Sequence, residues 1–454
     1  MIGWGLNLVY CGLLLLFSPV ILFRMVWQGK YRQGWSEKFL GRVEVRRSTG
    51  PMIWLHAVSV GEVLVLRTIL PRLRETIPDG EFWISTTTHT GRAVAIEKYP
   101  DCRVIDFPLD LTWAVRNALR RTQPSLIVLV ELELWPNFIR EAAAQSIPLV
   151  LINGRMSERS FRGYRRIRWL MAGLWRGFSR MAVQTEEYRR RLVELGAPGD
   201  RLTVTGSTKY DGLETDRGNA RTLEIRAGFG LRADETVFIA GSTQAPEESF
   251  AIETYLALRV RYPALRLVLV PRHQERFEDV AALVQSRGLP LLRRSAIKAG
   301  QPKGEALTEP QWRTEISTSD PASPILLLDT LGELGAAWGL ADIAFVGGSL
   351  TPRGGQNMIE PAAYAAAVLF GPNTANFRQV VELLLSERAA RVVDSPAELT
   401  RVVGEFLENP SLARQYGETA RRLVLQQQGA TARTVDLIVE ALPGGEARGS
   451  VLDR

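Results

Sequence analysis

The residues best suited to chemistry sit where apolar runs of the chain turn amphipathic. In "HAVSVGE", Glu62 falls at the first turn of an expected helix, after Gly61, which permits a tight backbone. A carboxylate there complements the helix dipole, which also favours its ionised form. It is either a helix-start residue with no other role or a general base. In "VELELWPNF", Glu131 and Glu133 flank Leu132 at a strand end, and Pro136 suits the first turn of the next helix. Residues two apart in an extended segment share a face, so the pair invites an acid/base or metal reading. The alternative is one helix cap and one solvated carboxylate. "GSTKYD" puts Lys209 after a further strand, where an ammonium can neutralise charge developing in a transition state.

The second half repeats this placement. "VPRHQERF" sets Arg272 and His273 at a strand end, and arginine there can grip phosphate. Gly332 and Glu333 form a loop before a helix. "TPRGGQNMIEPAAYA" is a glycine-rich loop entering a helix near Asn357, with Glu360 in its first turn. Exposed amides at such a helix start bind anions. No GxxxxGK[ST] is present, and no well-placed GxGxxG supports a dinucleotide fold. No Asp-x-Asp occurs, so the metal-dependent sugar-nucleotide binding tied to that motif has no support. All three histidines, His56, His89 and His273, fall at the ends of expected strands.

The elements that must position these residues are short apolar strands alternating with helices, which imply an α/β chain with parallel sheets covered on both faces. The scheme runs from "PMIWLHAV" to "LTVTGSTKYD", pauses over a polar stretch at 212–235, and restarts at "TVFIAGST". At 454 residues the chain is too long for one ordinary domain, and two doubly wound domains are expected. The boundaries are 1–27 for an N-terminal anchor, 28–220 and 221–430 for the domains, and 431–454 for a helix end and tail. Residues 295–324 read as a polar surface loop, and the tail from Pro443 as disordered. Ligands of open parallel sheets bind outside the carboxyl ends of the strands.

Residues 1–23 carry no side-chain charge, a length that can cross a bilayer, and Arg24, Lys30, Arg32 and Lys38 follow. Basic residues on that flank place the remainder in the cytoplasm. Lys and Arg number 56 against 49 Asp and Glu, a net charge of +7 that favours an anionic partner. The anchor and the acidic strand ends argue against nucleic acid as that partner. Two cysteines, Cys11 and Cys102, cannot build a disulfide framework or a cysteine-rich zinc site. Residues 159–181 place Phe161, Tyr164, Ile167, Met171, Leu174, Trp175 and Phe178 at helical spacing, with Arg162, Arg165, Arg166 and Arg168 near the start. Such a helix suits an anionic membrane, or is an ordinary amphipathic helix with a solvated basic face.

Taken together, "HAVSVGE", "ELELWPN", "NGRMSERS", "GSTKYD", "PRHQERF", "DTLGEL", "ADIAFVGGSL", "PRGGQN", "EPAA" and "FGPNTANF" occur in one order between Trp54 and Phe377. They resemble the 3-deoxy-D-manno-octulosonic acid (Kdo) transferases of lipopolysaccharide synthesis. The resemblance implies a GT-B fold, two Rossmann-like doubly wound domains facing a central cleft, with the anchor helix in front. It implies inverting transfer from CMP-Kdo to a phosphorylated glycolipid, a lipid A precursor such as lipid IVA, without metal or other cofactor. The setting it implies is the cytoplasmic face of the inner membrane, beside anionic lipids. Glu62 matches the family's general base. Glu131 and Lys209 match positions assigned to transition-state stabilisation. Arg272, His273, Leu331, Gly332, Glu333, Asn357, Met358, Ile359 and Glu360 match segments that bind CMP. Ser59, Gly61, Glu133 and Arg155 are acceptor-side candidates.

Three stretches depart from the family pattern, all in the donor half. "GSTQAPEE" has Gln244, Ala245 and Pro246 where histidine and glycine are usual, "GGQNMIE" replaces Gly-Gly-His-Asn-Pro-Leu-Glu, and "PRHQER" replaces "PRHPER". They motivate alternatives: a GT-B transferase for a related nucleotide sugar, or an inactive membrane-anchored paralogue.

Overall fold

The computed structural model describes residues 2–27, 34–300 and 323–444. Most of the polar segment expected at 295–324, and the tail beyond residue 444, lie outside the described residues. The chain forms two compact units, Met1–Asp211 with Gln427–Arg454, and Gly212–Gln426.

The first unit holds a parallel sheet of β1 (Met52–His56), β2 (Glu81–Thr86), β3 (Arg103–Asp106), β4 (Leu126–Val130), β5 (Leu149–Gly154), β6 (Arg180–Val183) and β7 (Leu202–Val204). Their order is β3-β2-β1-β4-β5-β6-β7. Alternation within β1 explains why the run is apolar throughout. Ile53 and Leu55 pack on one side with Leu66 and Ile438, while Trp54 packs on the other with Phe138 and Trp175. Both faces are buried, so no polar stripe survives.

The helices are α1 (Ile2–Trp27), α2 (Trp35–Leu40), α3 (Val60–Thr76), α4 (His89–Lys98), α5 (Thr112–Thr122), α6 (Pro136–Ala144), α7 (Glu158–Arg165), α8 (Arg168–Trp175) and α9 (Glu186–Glu194). The single helix expected over 159–181 is thus two, broken at Arg166–Ile167. Its aromatic face is core: Phe161, Trp175 and Phe178 are buried. Part of its basic face is paired, Arg162 with Glu158 at 2.8 Å and Arg165 with Glu194 at 3.9 Å. Trp169 remains 79% exposed.

Helix α1 is fastened to the body by buried polar groups. Asn7 donates to Thr112 Oγ1 at 3.0 Å and accepts from the Thr112 amide and from Asn137 Nδ2, each at 3.1 Å. Leu8, Leu15, Leu16, Val20 and Phe23 are exposed along it. Among the described residues no helix is long and apolar enough to cross a membrane.

The first unit closes with the helix Ala430–Ala441, whose Val435 and Ile438 enter the core beside α3. The Asp211 carboxylate accepts from the amides of Gly429, at 2.7 Å, and Thr431. Arg433 donates twice to the Thr205 carbonyl. The units therefore divide at Asp211–Gly212 and Gln426–Gln427, where the sequence suggested residues 220 and 430. The returning helix buries its apolar face on the first sheet, a pairing that short-range pattern cannot display.

The second unit holds the parallel order β10-β11-β9-β8-β12-β13-β14. The strands are β8 (Thr236–Thr243), β9 (Leu265–Pro271), β10 (Leu291–Arg293), β11 (Ile325–Leu327), β12 (Ile343–Val346), β13 (Ala367–Phe370) and β14 (Ala390–Val392).

Candidate active site

The first unit gathers its functional candidates at the carboxyl ends of β1, β4 and β5 and just beyond β7. Ser59 caps α3, and its hydroxyl donates to Glu62 Oε1 at 2.9 Å. The Val58 amide donates to Glu62 Oε2 at 2.8 Å. This Ser-x-x-Glu arrangement is a capping box. Glu62 is 7% exposed. Burial pushes its pKa up, more strongly than the bonds from Val58 and Ser59 hold it down, and the charge of Glu131 adds to the rise. The helix dipole favours a low value, and desolvation overrides it. A raised but hydrogen-bonded carboxylate is a stronger base than a solvated one.

Glu131 does not continue the strand. Its φ is +59°, a left-handed conformation that side chains rarely adopt. The extended geometry that would set Glu131 and Glu133 on one face is thus broken at Glu131, yet the charge of Glu131 still contributes to raising Glu133. Glu131 accepts from Arg155 Nε at 3.1 Å, Arg155 following the last residue of β5. Glu133 is pushed up to about 7, first by burial and then by the negative charge of Glu62. Lys209 lies in the turn Thr208–Tyr210 after β7. The residue as a whole is exposed, yet its ammonium loses enough water for its pKa to fall; Arg155 lowers it further and Glu131 opposes both. Three carboxylates and two cations thus lie within electrostatic reach. Gly61 has nothing but Ser59 Oγ near the place of a Cβ, at 3.9 Å, so the backbone beside Glu62 is open.

His56 belongs to the core. It is fully buried, stacks on Phe107 with centroids 3.7 Å apart, and bonds Ser85 through Nδ1. Burial lowers its pKa to about 3, so it stays neutral. His89 starts α4, and His273 with Arg272 is exposed after β9.

In the second unit the glycine loop differs from expectation. Its helix is only Ile359–Ala363, and the Ile359 amide is taken by Asn357 Oδ1 at 3.1 Å. Asn357 Nδ2 donates to Glu360 Oε1 at 3.0 Å. Met358 and Ile359 are buried, so their side chains serve the core. The Glu333 carboxylate is likewise committed. Burial would raise it, but Arg294, Lys298 and Thr330 hold it down at about 2. Leu331 and Gly332 stand at the tip of that loop, Leu331 69% exposed and Gly332 with φ +79°.

Two features of this half were not singled out from the sequence. Glu247, fully buried, accepts from four backbone amides: Gln244 at 2.9 Å, Gly348 at 2.7 Å, Ser349 at 3.0 Å and Leu350 at 2.9 Å. It ties the turn after β8 to the turn after β12. Its place three residues after Gln244, at a helix start, was the available signal. Second, Arg353 and Arg378 border a cavity of about 600 Å³ with Asn373, Thr374 and Asn376, joining "PRGGQN" to "FGPNTANF". Gln244 and Gln356 both approach Gly348: a Cβ there would lie 3.7 Å and 3.3 Å from their amide nitrogens. Among the described residues no group of three or more His, Cys, Asp or Glu is arranged to hold a metal ion.

Two parallel α/β units with candidate groups at their strand ends define a GT-B glycosyltransferase fold. The chain is similar to a glycosyltransferase from Rickettsia africae (TM-score 0.54, 13% identity, covering 87% of this chain and 99% of that one). It is also similar to UDP-GlcNAc 2-epimerase from Neisseria meningitidis (0.55, 13%, 86% and 100%). These likenesses concern the fold alone. Residues 33–212 match the family 3-deoxy-D-manno-octulosonic-acid transferase (kdotransferase). The 3-deoxy-D-manno-octulosonic acid transferase of Haemophilus influenzae is 32% identical over 94% of this chain and 97% of its own. That of Bordetella pertussis is 33% identical over 86% and 87%. The chain belongs to the Kdo transferase family and is a glycosyltransferase of lipopolysaccharide biosynthesis.

Proposed function

We propose that the chain transfers Kdo from CMP-Kdo to a hydroxyl of a lipid A precursor, lipid IVA, by a single inverting displacement with Glu62 as general base. The observation that carries this reading is the setting of Glu62. It is a buried carboxylate, oriented by Val58 and Ser59 and raised in basicity, at the ligand edge of its sheet. Glu62 takes the acceptor proton as the acceptor oxygen attacks the anomeric carbon. The bond from that carbon to the phosphate oxygen breaks, and CMP leaves with the electron pair. Lys209 and Arg155 supply positive charge, and Glu131 holds Arg155 in place.

The donor half offers the guanidinium groups of Arg272, Arg353 and Arg378. Arg272 and His273 after β9, the Leu331–Glu333 tip, the Asn357–Glu360 turn and the cavity beside Arg353 and Arg378 suit an anionic sugar nucleotide. The exposed apolar face of α1 attaches the protein to the cytoplasmic side of the inner membrane, where the acceptor resides. A second reading, a related donor sugar, is favoured by one observation: Gln244 and Gln356, two of the departures from the family pattern, meet at Gly348. Incubating the purified full chain with CMP-Kdo or with other nucleotide sugars, each with tetraacylated lipid A precursor, tests both. Turnover confined to a donor other than CMP-Kdo rejects the first reading and supports the second.

A further inference from the structure

We propose that the apolar cavity between α1 and the segments entering α5 and α6 is a slot for one acyl chain of the acceptor glycolipid. Leu13, Leu14 and Phe17 of α1 line it, with Leu109 and Leu111 before α5 and Leu134 and Trp135 before α6. Its volume is about 380 Å³. That suits one hydrocarbon chain, and the lining offers few polar groups, Tyr10 and Asp110 being bonded to each other at 3.0 Å.

Three observations select an acyl chain of the acceptor as the occupant. The lining helix is held in place by the buried Asn7–Thr112–Asn137 bonds, so the slot has a fixed wall. The same helix exposes Leu15, Leu16 and Val20, so the surroundings of the slot are apolar. Leu134 and Trp135 directly follow Glu133 in the segment that carries Glu131. The Trp135 ring packs on Phe107, centroids 5.3 Å apart, and on His56, 6.2 Å apart. A chain in the slot therefore touches the segment that bears the candidate carboxylates, and its headgroup is delivered to them. A bulk phospholipid has no reason to be registered against that segment. The inference rests on the glycolipid acceptor proposed above.

The test uses the full chain and two acceptors, tetraacylated lipid A precursor and its fully deacylated form, stripped of ester- and amide-linked chains. Leu109→Trp fills the slot from a half-buried position. The expected result is a KM for the tetraacylated acceptor raised about tenfold or more, the scale of lost methylene contacts. The KM for CMP-Kdo, kcat, and the KM for the fully deacylated acceptor stay within about twofold of wild type. An equal change for both acceptors, or none, overturns the slot. Independently of the variant, a precursor bearing a diazirine on one acyl chain is crosslinked to the wild-type protein. Adducts within residues 10–17, 109–111 or 134–135, competed by unlabelled precursor and not by phosphatidylglycerol vesicles, support the slot. Competition by phospholipid, or adducts elsewhere, overturns it. Wild-type protein that transfers to neither acceptor rejects the acceptor reading itself; transfer without the KM split rejects the slot alone.

Discussion

The Ser59 hydroxyl donates to Glu62 Oε1 at 2.9 Å, while the Glu62 amide faces back to Ser59 Oγ at 3.5 Å. The two residues fix each other. The capping box that starts α3 also aims the carboxylate proposed as the base. Local helix chemistry and the proposed transfer chemistry thus share one pair of side chains.

Ser59→Ala removes one bond that stabilises the ionised form of Glu62, so the Glu62 pKa rises further. The acid limb of kcat/KM moves to higher pH, and the maximum rate at alkaline pH changes little. Loss of the cap lowers stability by about 1 kcal/mol, read by urea unfolding.

The pH profile is narrower than free side chains would give. As the proposed base, Glu62 would act as its anion, and its pKa lies above the ordinary 4.5, so activity is expected to fall as pH drops through that raised value. In the proposed role Lys209 would act as its cation, and its pKa lies below the ordinary 10.5, so activity is expected to fall as pH rises through that lowered value. Lys209→Arg keeps the charge and moves the alkaline limb upward, which a kcat/KM profile of both proteins reads directly.

Glu247→Ala strands four backbone amides and loosens the turns after β8 and β12. A loss of roughly 3 kcal/mol of stability is expected, together with a raised KM for CMP-Kdo. The KM for the acceptor is unchanged. Differential scanning calorimetry and steady-state kinetics check the two parts.

Asp211→Ala removes the carboxylate that receives the start of the helix Ala430–Ala441. A destabilisation of about 1–2 kcal/mol is expected. Hydrogen exchange should rise first in residues 430–441 and along α3, on which that helix packs.

Much of this was legible in the sequence, and the exceptions share a cause. The spacing Ser59–Glu62 announces a helix start, and unbroken apolar runs such as Leu126–Val130 announce parallel strands. Glu131 looked like ordinary strand alternation because a left-handed backbone leaves no mark on residue type. Sequence points to a lowered Glu62 pKa because the dipole is a local effect, whereas the desolvation that raises it comes from the folded surroundings. Glu247 went unnoticed because three of its four amide partners lie about a hundred residues away. Asn7, within an apolar run, gave no hint that it would fasten α1 to Thr112 and Asn137.

The most direct measurement is single-turnover transfer from CMP-Kdo to tetraacylated lipid A precursor by wild-type protein and Glu62→Gln, with the product weighed by mass spectrometry. Wild-type protein should add Kdo to the precursor, and Glu62→Gln, folded and still binding CMP-Kdo, should be slower by about 10²–10⁴-fold. Transfer by Glu62→Gln at the wild-type rate would contradict the assignment of Glu62 as the base.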